Sequence, residues 1–266
     1  MCGRYASSRR PEDLIEEFEV VASRVRESLA PDYNVAPTDE VYAVMERPPR
    51  PEDRPEDGAD DPESEVAAER QLRTVRWGLV PSWAKDPSIG SRMINARMET
   101  LAEKPAFRRA LAARRCLLPA DGYYEWYPTE QLSASGKPRK QPFFIRPADG
   151  GVLAMAGLYE LWRNPQAAAD DPDRWLWTAT VITTAAEDSL GRIHDRMPLM
   201  VDRAGWAQWL DPTRTEPGDV LPLLQPAAPG QLEAYPVSTA VGNVRNNSAQ
   251  LIEPVPFEPV QEGGLW

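Results

Sequence analysis

What most limits the fold open to this chain is its punctuation: short apolar and aromatic runs, rich in β-branched residues, recur between Pro, Gly and Asp clusters. "YNVAPTDEVYAVME" (33–46) reads as a turn feeding a strand of alternating burial, and "TVRWGLV" (74–80) as a strand entering a Pro- and Gly-marked loop. "GYYEWY" (122–127) and "QPFFIRP" (141–147) are aromatic strands joined by residues with the composition of a hairpin loop. "GVLAMAGLYELW" (151–162), "WLWTATVITTAA" (175–186) and "LEAYPVST" (232–239) add three more strands. Helical spacing is confined to "RPEDLIEEFEVVASRV" (10–25), the segment ahead of a short strand at 116–118, and "DRAGWAQWLD" (202–211). This pattern predicts an α+β chain, one domain over residues 2–266, with mainly antiparallel strands in a curved sheet or barrel-like core and a few peripheral helices.

Residues 47–72 interrupt the pattern. They are rich in Pro, Asp and Glu and nearly free of aromatics, so they bury too little apolar surface to offset ordering and are expected to form a mobile loop insertion. The net charge of −11 argues at first against a nucleic-acid partner. Residues 46–70, however, hold ten acidic against four basic residues, so this stretch carries six of those charges. Of 30 basic residues only four are lysine, and the planar guanidinium of arginine suits phosphate. No apolar run reaches membrane-spanning length and the start lacks a signal-peptide pattern, so a cytoplasmic chain is expected, nucleoid-associated in a prokaryote and monomeric by default. Two cysteines and one histidine supply neither a disulfide framework nor a structural zinc site, so no metal and no cofactor is expected.

The chemistry begins at "MCG". Methionine aminopeptidases act when the second residue is small, so removal of Met1 would leave Cys2 with a thiol and a free α-amine. An α-amine titrates near ~7.7–8.0, so an appreciable fraction is neutral and nucleophilic at pH 7. It can form a Schiff base with an aldehyde, and the adjacent thiol can close on the imine carbon to give a five-membered thiazolidine. On position alone, Cys2 is as readily a small residue at a chain end.

Six blocks shift that balance: "MCGRY" at the start, "YNVAPT" (33–38), "INARMET" (94–100), "DGYYEWY" (121–127), "HDRMP" (194–198) and "AVGNVRN" (240–246). Together they resemble the SRAP family, the SOS-response-associated peptidase proteins that cross-link to abasic sites in single-stranded DNA. The resemblance implies that Cys2 is the nucleophile, Asn34 the asparagine beside it, Glu125 the glutamate that processes the abasic site, and His194 the histidine that assists Schiff-base chemistry. On an extended strand Glu125 shares its face with Tyr123 and Tyr127, surroundings that favour its protonated form. His194 is the chain's only imidazole, with Asp195 or a neighbouring group expected to fix its tautomer. By the same resemblance Arg4, Asn95, Arg97 and Arg196 hold phosphates around the lesion, and Trp83 stacks on a neighbouring base. Some members carry a second tryptophan after this one, where this chain has Ala84. Arg76, Lys85, Arg92 and Arg245 either extend a basic groove or are solvated surface charge.

The implied function is covalent capture and shielding of abasic sites in single-stranded DNA, with weak lyase activity and self-processing peptidase activity beside it. Two other readings compete. Class II glutamine amidotransferases also begin "MCG" and use the cysteine on an amide, although they continue with a hydrophobic residue where this chain has Arg4. A non-catalytic reader of modified DNA bases would be indifferent to Cys2.

Overall fold

A computed structural model describes residues 2–48, 67–132, 135–136, 138–168, 170–171, 174–186 and 190–257. The strands in chain order are β1 (Tyr5–Ser7), β2 (Ala22–Ser23), β3 (Asp32–Val35), β4 (Glu40–Arg47), β5 (Glu69–Trp77), β6 (Asn95–Arg97) and β7 (Arg115–Ala120). They continue with β8 (Gly122–Leu132), β9 (Pro138–Pro147), β10 (Leu153–Arg163), β11 (Trp175–Ala185), β12 (Arg196–Pro198) and β13 (Leu232–Pro236). The α-helices are short: α1 (Pro11–Glu17), α2 (Arg108–Ala113), α3 (Leu190–Ile193), α4 (Trp206–Leu210) and α5 (Pro217–Val220).

Strands β5, β4, β7, β10 and β11 pair in that order, and a parallel pairing of β11 with β5 (Thr178 to Arg76, Ala179 to Trp77) closes them into a five-stranded barrel. Alternation along each strand separates two cores. On β4, Val41, Ala43 and Met45 point into the barrel, while Tyr42 and Val44 point outward beneath the helices. A second sheet, ordered β13-β9-β8-β1-β3, lays its inner face against the barrel interior: Tyr5, Val35, Tyr123 and Ile145 share a core with the barrel residues Trp77, Cys116 and Val181. The opposite face, with Ala6, Tyr124 and Phe144, packs on Val237, Val241 and Leu251. At Gly157 on β10 a Cβ would come 3.0 Å from both Cys116 Sγ and Thr180 O, so the barrel wall draws together there because this residue has no side chain.

The expected α+β, strand-dominated single domain is what the chain forms, with differences at the ends of elements. The first helix stops at Glu17, eight residues before its apolar pattern does. Glu19 turns the chain with φ +53°, and Ala22–Ser23 then joins β5 as an edge strand, a better use of the β-branched Val20 and Val21 region than another helical turn. The β8–β9 hairpin is longer than the aromatic runs suggested, reaching Leu132 and resuming at Pro138. Of the 47–72 insertion, residues 49–66 lie outside the described part. Its last four residues, Glu69–Leu72, are strand rather than loop, with Leu72 fully buried, and Arg47 stands directly opposite Glu69.

Candidate active site

The site is assembled around the first residues of the chain. β1 is only three residues long, yet it is held between two strands, with Tyr5 opposite Val35 on β3 and Tyr123 on β8. That pinning draws the preceding residues into the core, and Cys2 is fully buried. Its carbonyl oxygen accepts a hydrogen bond of 2.6 Å from Asn95 Nδ2. Its sulfur accepts from the backbone N–H of Arg4. Burial, reinforced by the nearby Glu125 carboxylate, pushes the thiol far above its ordinary range, so the resting group is a neutral thiol.

Glu125 projects from β8 on the same face as Tyr123, into that buried region. Loss of solvent raises its carboxyl to about 7, so near neutrality it exchanges a proton readily. His194 follows α3, with Nε2 3.8 Å from Glu125 Oε2. Its Nδ1 accepts a 3.0 Å hydrogen bond from the backbone N–H of Arg196, which in the neutral ring leaves the proton on Nε2, facing Glu125. Asp195 Oδ1 also lies 2.9 Å from Nδ1, a contact that requires a proton there instead. The Asp195 side chain is 86% exposed and therefore screened, whereas burial lowers the imidazole pKa. The neutral Nε2–H form follows, fixed by the Arg196 amide.

Among the other sequence candidates, Asn95 does not stand free to meet phosphate; it is the amide that reaches Cys2. It sits on β6 opposite Val181, and the same ribbon places Arg97 opposite Thr183 and Arg196 opposite Ala185. Asn95, Arg97, Arg196 and His194 are thus gathered at one end of β11. Arg97 is exposed there. Arg196 is largely covered, forked onto Glu99 at 2.7 and 3.1 Å and donating to Thr183 O at 2.7 Å.

Asn34 is buried on the other face of its sheet. Its Nδ2 donates to Asn243 O (3.0 Å) and Asn246 O (2.8 Å), and its Oδ1 accepts from Arg4 Nη1 at 2.7 Å. Arg4 donates also to Val241 O. Asn34 therefore holds Arg4 and the 241–246 loop, and the described hydrogen bonds of its side chain do not include Cys2. Trp83 is 59% exposed on the loop after β5, and the next residue, Ala84, accepts at 2.7 Å from the Trp162 indole. Trp162 pairs with Leu176, five residues before Val181, so about 17 Å of β11 separates that anchor from the Asn95 position. Tyr5, which sequence reasoning passed over, and Tyr123, noted there only as a neighbour of Glu125, belong to the cluster, both buried in one core with Cys2. Period-2 alternation had already placed Tyr123 on the Glu125 face, whereas a three-residue strand gave Tyr5 no periodic signal.

Comparison with known proteins places the chain among relatives. Residues 1–244 match the family profile described as SOS response associated peptidase (SRAP). The chain is 38% identical over 253 residues to abasic site processing protein YoqW of Bacillus subtilis, covering 95% of this chain and 99% of that protein. It is 31% identical to abasic site processing protein YedK of Escherichia coli, covering 96% and 100%. It is 34% identical to the HMCES protein of Gallus gallus over 71% of this chain and 59% of that longer protein. A crystal structure of a Bacteroides thetaiotaomicron protein superposes with a TM-score of 0.72 at 22% identity, covering 96% and 100%, which shows a shared fold.

Proposed function

Since the chain belongs to the SRAP family, we propose that it processes abasic sites in DNA by capturing the ring-opened sugar aldehyde on Cys2. The observation that carries this reading is the gathering of Asn95, Glu125 and His194 around a buried N-terminal cysteine. With Met1 removed, the neutral α-amine of Cys2 adds to the aldehyde carbon. Glu125, protonated below about pH 7, supplies a proton to the departing oxygen, and loss of water gives the imine. The Nε2–H of His194 hydrogen-bonds the same oxygens and exchanges protons with Glu125. The thiol then adds to the imine carbon: a C–S bond forms, the C=N double bond becomes single, and the thiol proton passes to nitrogen. Asn95 holds the Cys2 carbonyl so that amine and sulfur stay on the same side of the incoming carbon. An imine at that carbon also permits β-elimination, the source of weak lyase activity.

Arg97 and Arg196 at the rim, Arg4 below the 241–246 loop, and exposed Trp83 are assigned to the single-stranded DNA around the lesion. The test is a denaturing gel of purified protein with a single-stranded oligonucleotide carrying one abasic site. A shifted band that survives denaturation, requires Cys2 and is absent with intact DNA is expected; its absence from protein whose intact mass shows Met1 removed would overturn the reading. Hydrolysis of glutamine dependent on Cys2 would instead support the amidohydrolase.

A further inference from the structure

Arg196 is assigned to a DNA phosphate, yet its outward donors are already taken. Nη1 and Nη2 form a fork on the two carboxylate oxygens of Glu99, at 2.7 and 3.1 Å, and Nη2 also donates to Thr183 O at 2.7 Å. Nε is buried and without a partner among the described residues, so it does not face an approaching strand. Two parallel N–H···O bonds are the arrangement in which a guanidinium holds a phosphate as well as a carboxylate. Glu99 thus sits where a phosphodiester would sit, and either Arg196 or Glu99 must move before Arg196 can hold DNA.

Their surroundings determine which one moves. The Arg196 side chain is only 13% exposed and is tied to the main-chain oxygen of Thr183, itself fully buried on β11. The Glu99 side chain is 49% exposed and stands in the single 3₁₀ turn Met98–Thr100 that follows β6, with Arg196 its one ion-pair partner among the described residues. A half-exposed pair contributes little stability, so turning this carboxylate into water costs little. The hydrogen bond from Arg196 holds the Glu99 carboxyl below its ordinary range, so at neutral pH it competes as an anion. The guanidinium therefore stays in place on Thr183, and the carboxylate leaves.

We propose that Glu99 is a built-in phosphate mimic that guards Arg196 and gives way only to a strand already held nearby. The inference deepens the proposed function and rests on it for the course of DNA along this rim. An isolated anion gains little from the exchange, because one ion pair is broken for each one made. A strand already engaged at Arg97, exposed two residues before Glu99, presents its next phosphate at high effective concentration, and the same exchange then goes to completion. Glu99 in this way sets specificity: it keeps free phosphate off Arg196 and yields to a polynucleotide.

The test measures two ligands separately. Inorganic phosphate alone is titrated into ¹⁵N-labelled protein and followed at the Arg196 Nε–H signal, identified by its loss in Arg196→Gln. Glu99→Gln and Glu99→Ala should bind phosphate about 3- to 10-fold more tightly than the parent. Equal affinity in parent and variants overturns the proposal. An intact single-stranded oligonucleotide is then titrated by fluorescence anisotropy, where both variants should again gain about 3- to 10-fold. Loss of any acidic charge beside DNA favours binding, so the comparison is repeated in the Arg196→Gln background, where Glu99→Gln should change affinity by less than about 2-fold. A gain of the same size in that background overturns the proposal, and so does weaker binding by Glu99→Ala, the result expected if Glu99 only props the guanidinium. Failure of the parent to bind single-stranded DNA would count against the function proposed above and not against the exchange, which the phosphate titration then decides alone.

Discussion

At the scale of single residues, the site is a set of groups whose environments have altered their ordinary acid strengths. Glu125 is the clearest case. Its carboxyl is raised to about 7 by burial, so between about pH 4.5 and 7 the folded chain binds a proton that the unfolded chain has released. Stability must therefore fall as pH rises through that window, by an amount on the order of 3 kcal/mol, and then level off. Glu125→Gln should abolish that slope in urea titrations at pH 5 and pH 8 and remove the falling, alkaline limb of the cross-linking rate. The two asparagines separate differently. Asn95→Ala releases only the Cys2 carbonyl and should slow cross-linking roughly 10- to 100-fold with little change in melting temperature. Asn34→Ala strips two loop carbonyls and the Arg4 guanidinium of buried partners, and should cost about 2–3 kcal/mol, measured by denaturant unfolding.

At the scale of elements, the sequence disclosed types well and ends poorly. The aromatic run at 122–127 and the apolar runs at 151–162 and 175–186 became β8, β10 and β11 because nothing but a two-sided buried strand accommodates that density of large side chains. Where elements stop depends on what they meet. The first helix ends where the chain can add an edge to β5, and β5 begins inside an apparently disordered composition because Leu72 has a core to enter. Cys2 and His194 stood out in the sequence because cysteine and histidine are rare in this chain, whereas Glu125, one of 41 acidic residues, stood out only through the block that carries it. Asn95 was singled out for phosphate, and that its amide reaches the Cys2 carbonyl could not be read from the sequence, because the β6–β11 pairing that places it joins residues more than eighty apart. That pairing depends in turn on the loop after β5, where Gly78, at φ +128°, lies so close to Gly90 that a Cβ on Gly78 would sit 2.5 Å from Gly90 O. Gly90→Ala should therefore dislodge β6 and lower cross-linking together with stability, read by gel and by melting temperature. Conversely, because Arg47 and Glu69 already face each other, replacing residues 49–66 by a short turn should leave both unchanged.

At the scale of the whole molecule, one buried cation ties the helical layer to the barrel. Arg115, the first residue of β7, donates from Nε to Trp209 O (2.6 Å), from Nη1 to Leu111 O (2.6 Å) and Ala112 O (2.7 Å), and from Nη2 to Asp211 O. These are carbonyls at the C-terminal ends of α2 and α4, where helices lack internal donors and favour positive charge. Desolvation lowers the guanidinium to about 10, still charged at neutral pH. Arg115→Met should cost about 3 kcal/mol, seen as a fall of roughly 6–12 °C in melting temperature, while Cys2 chemistry at 20 °C persists.

The parallel join of β5 to β11 has a consequence in time. It connects residues about a hundred apart, and nothing local can form it early, so barrel closure belongs late in folding. Asn95 is carried on the neighbouring β6–β11 pairing and His194 follows β11, so the walls that bury Cys2 cannot exist until most of the chain has been synthesised. At typical translation speeds the beginning of the chain would wait on the order of ten seconds in open solvent. The enclosure that buries Cys2 in the finished fold therefore leaves, during synthesis, an interval in which an aminopeptidase can remove Met1.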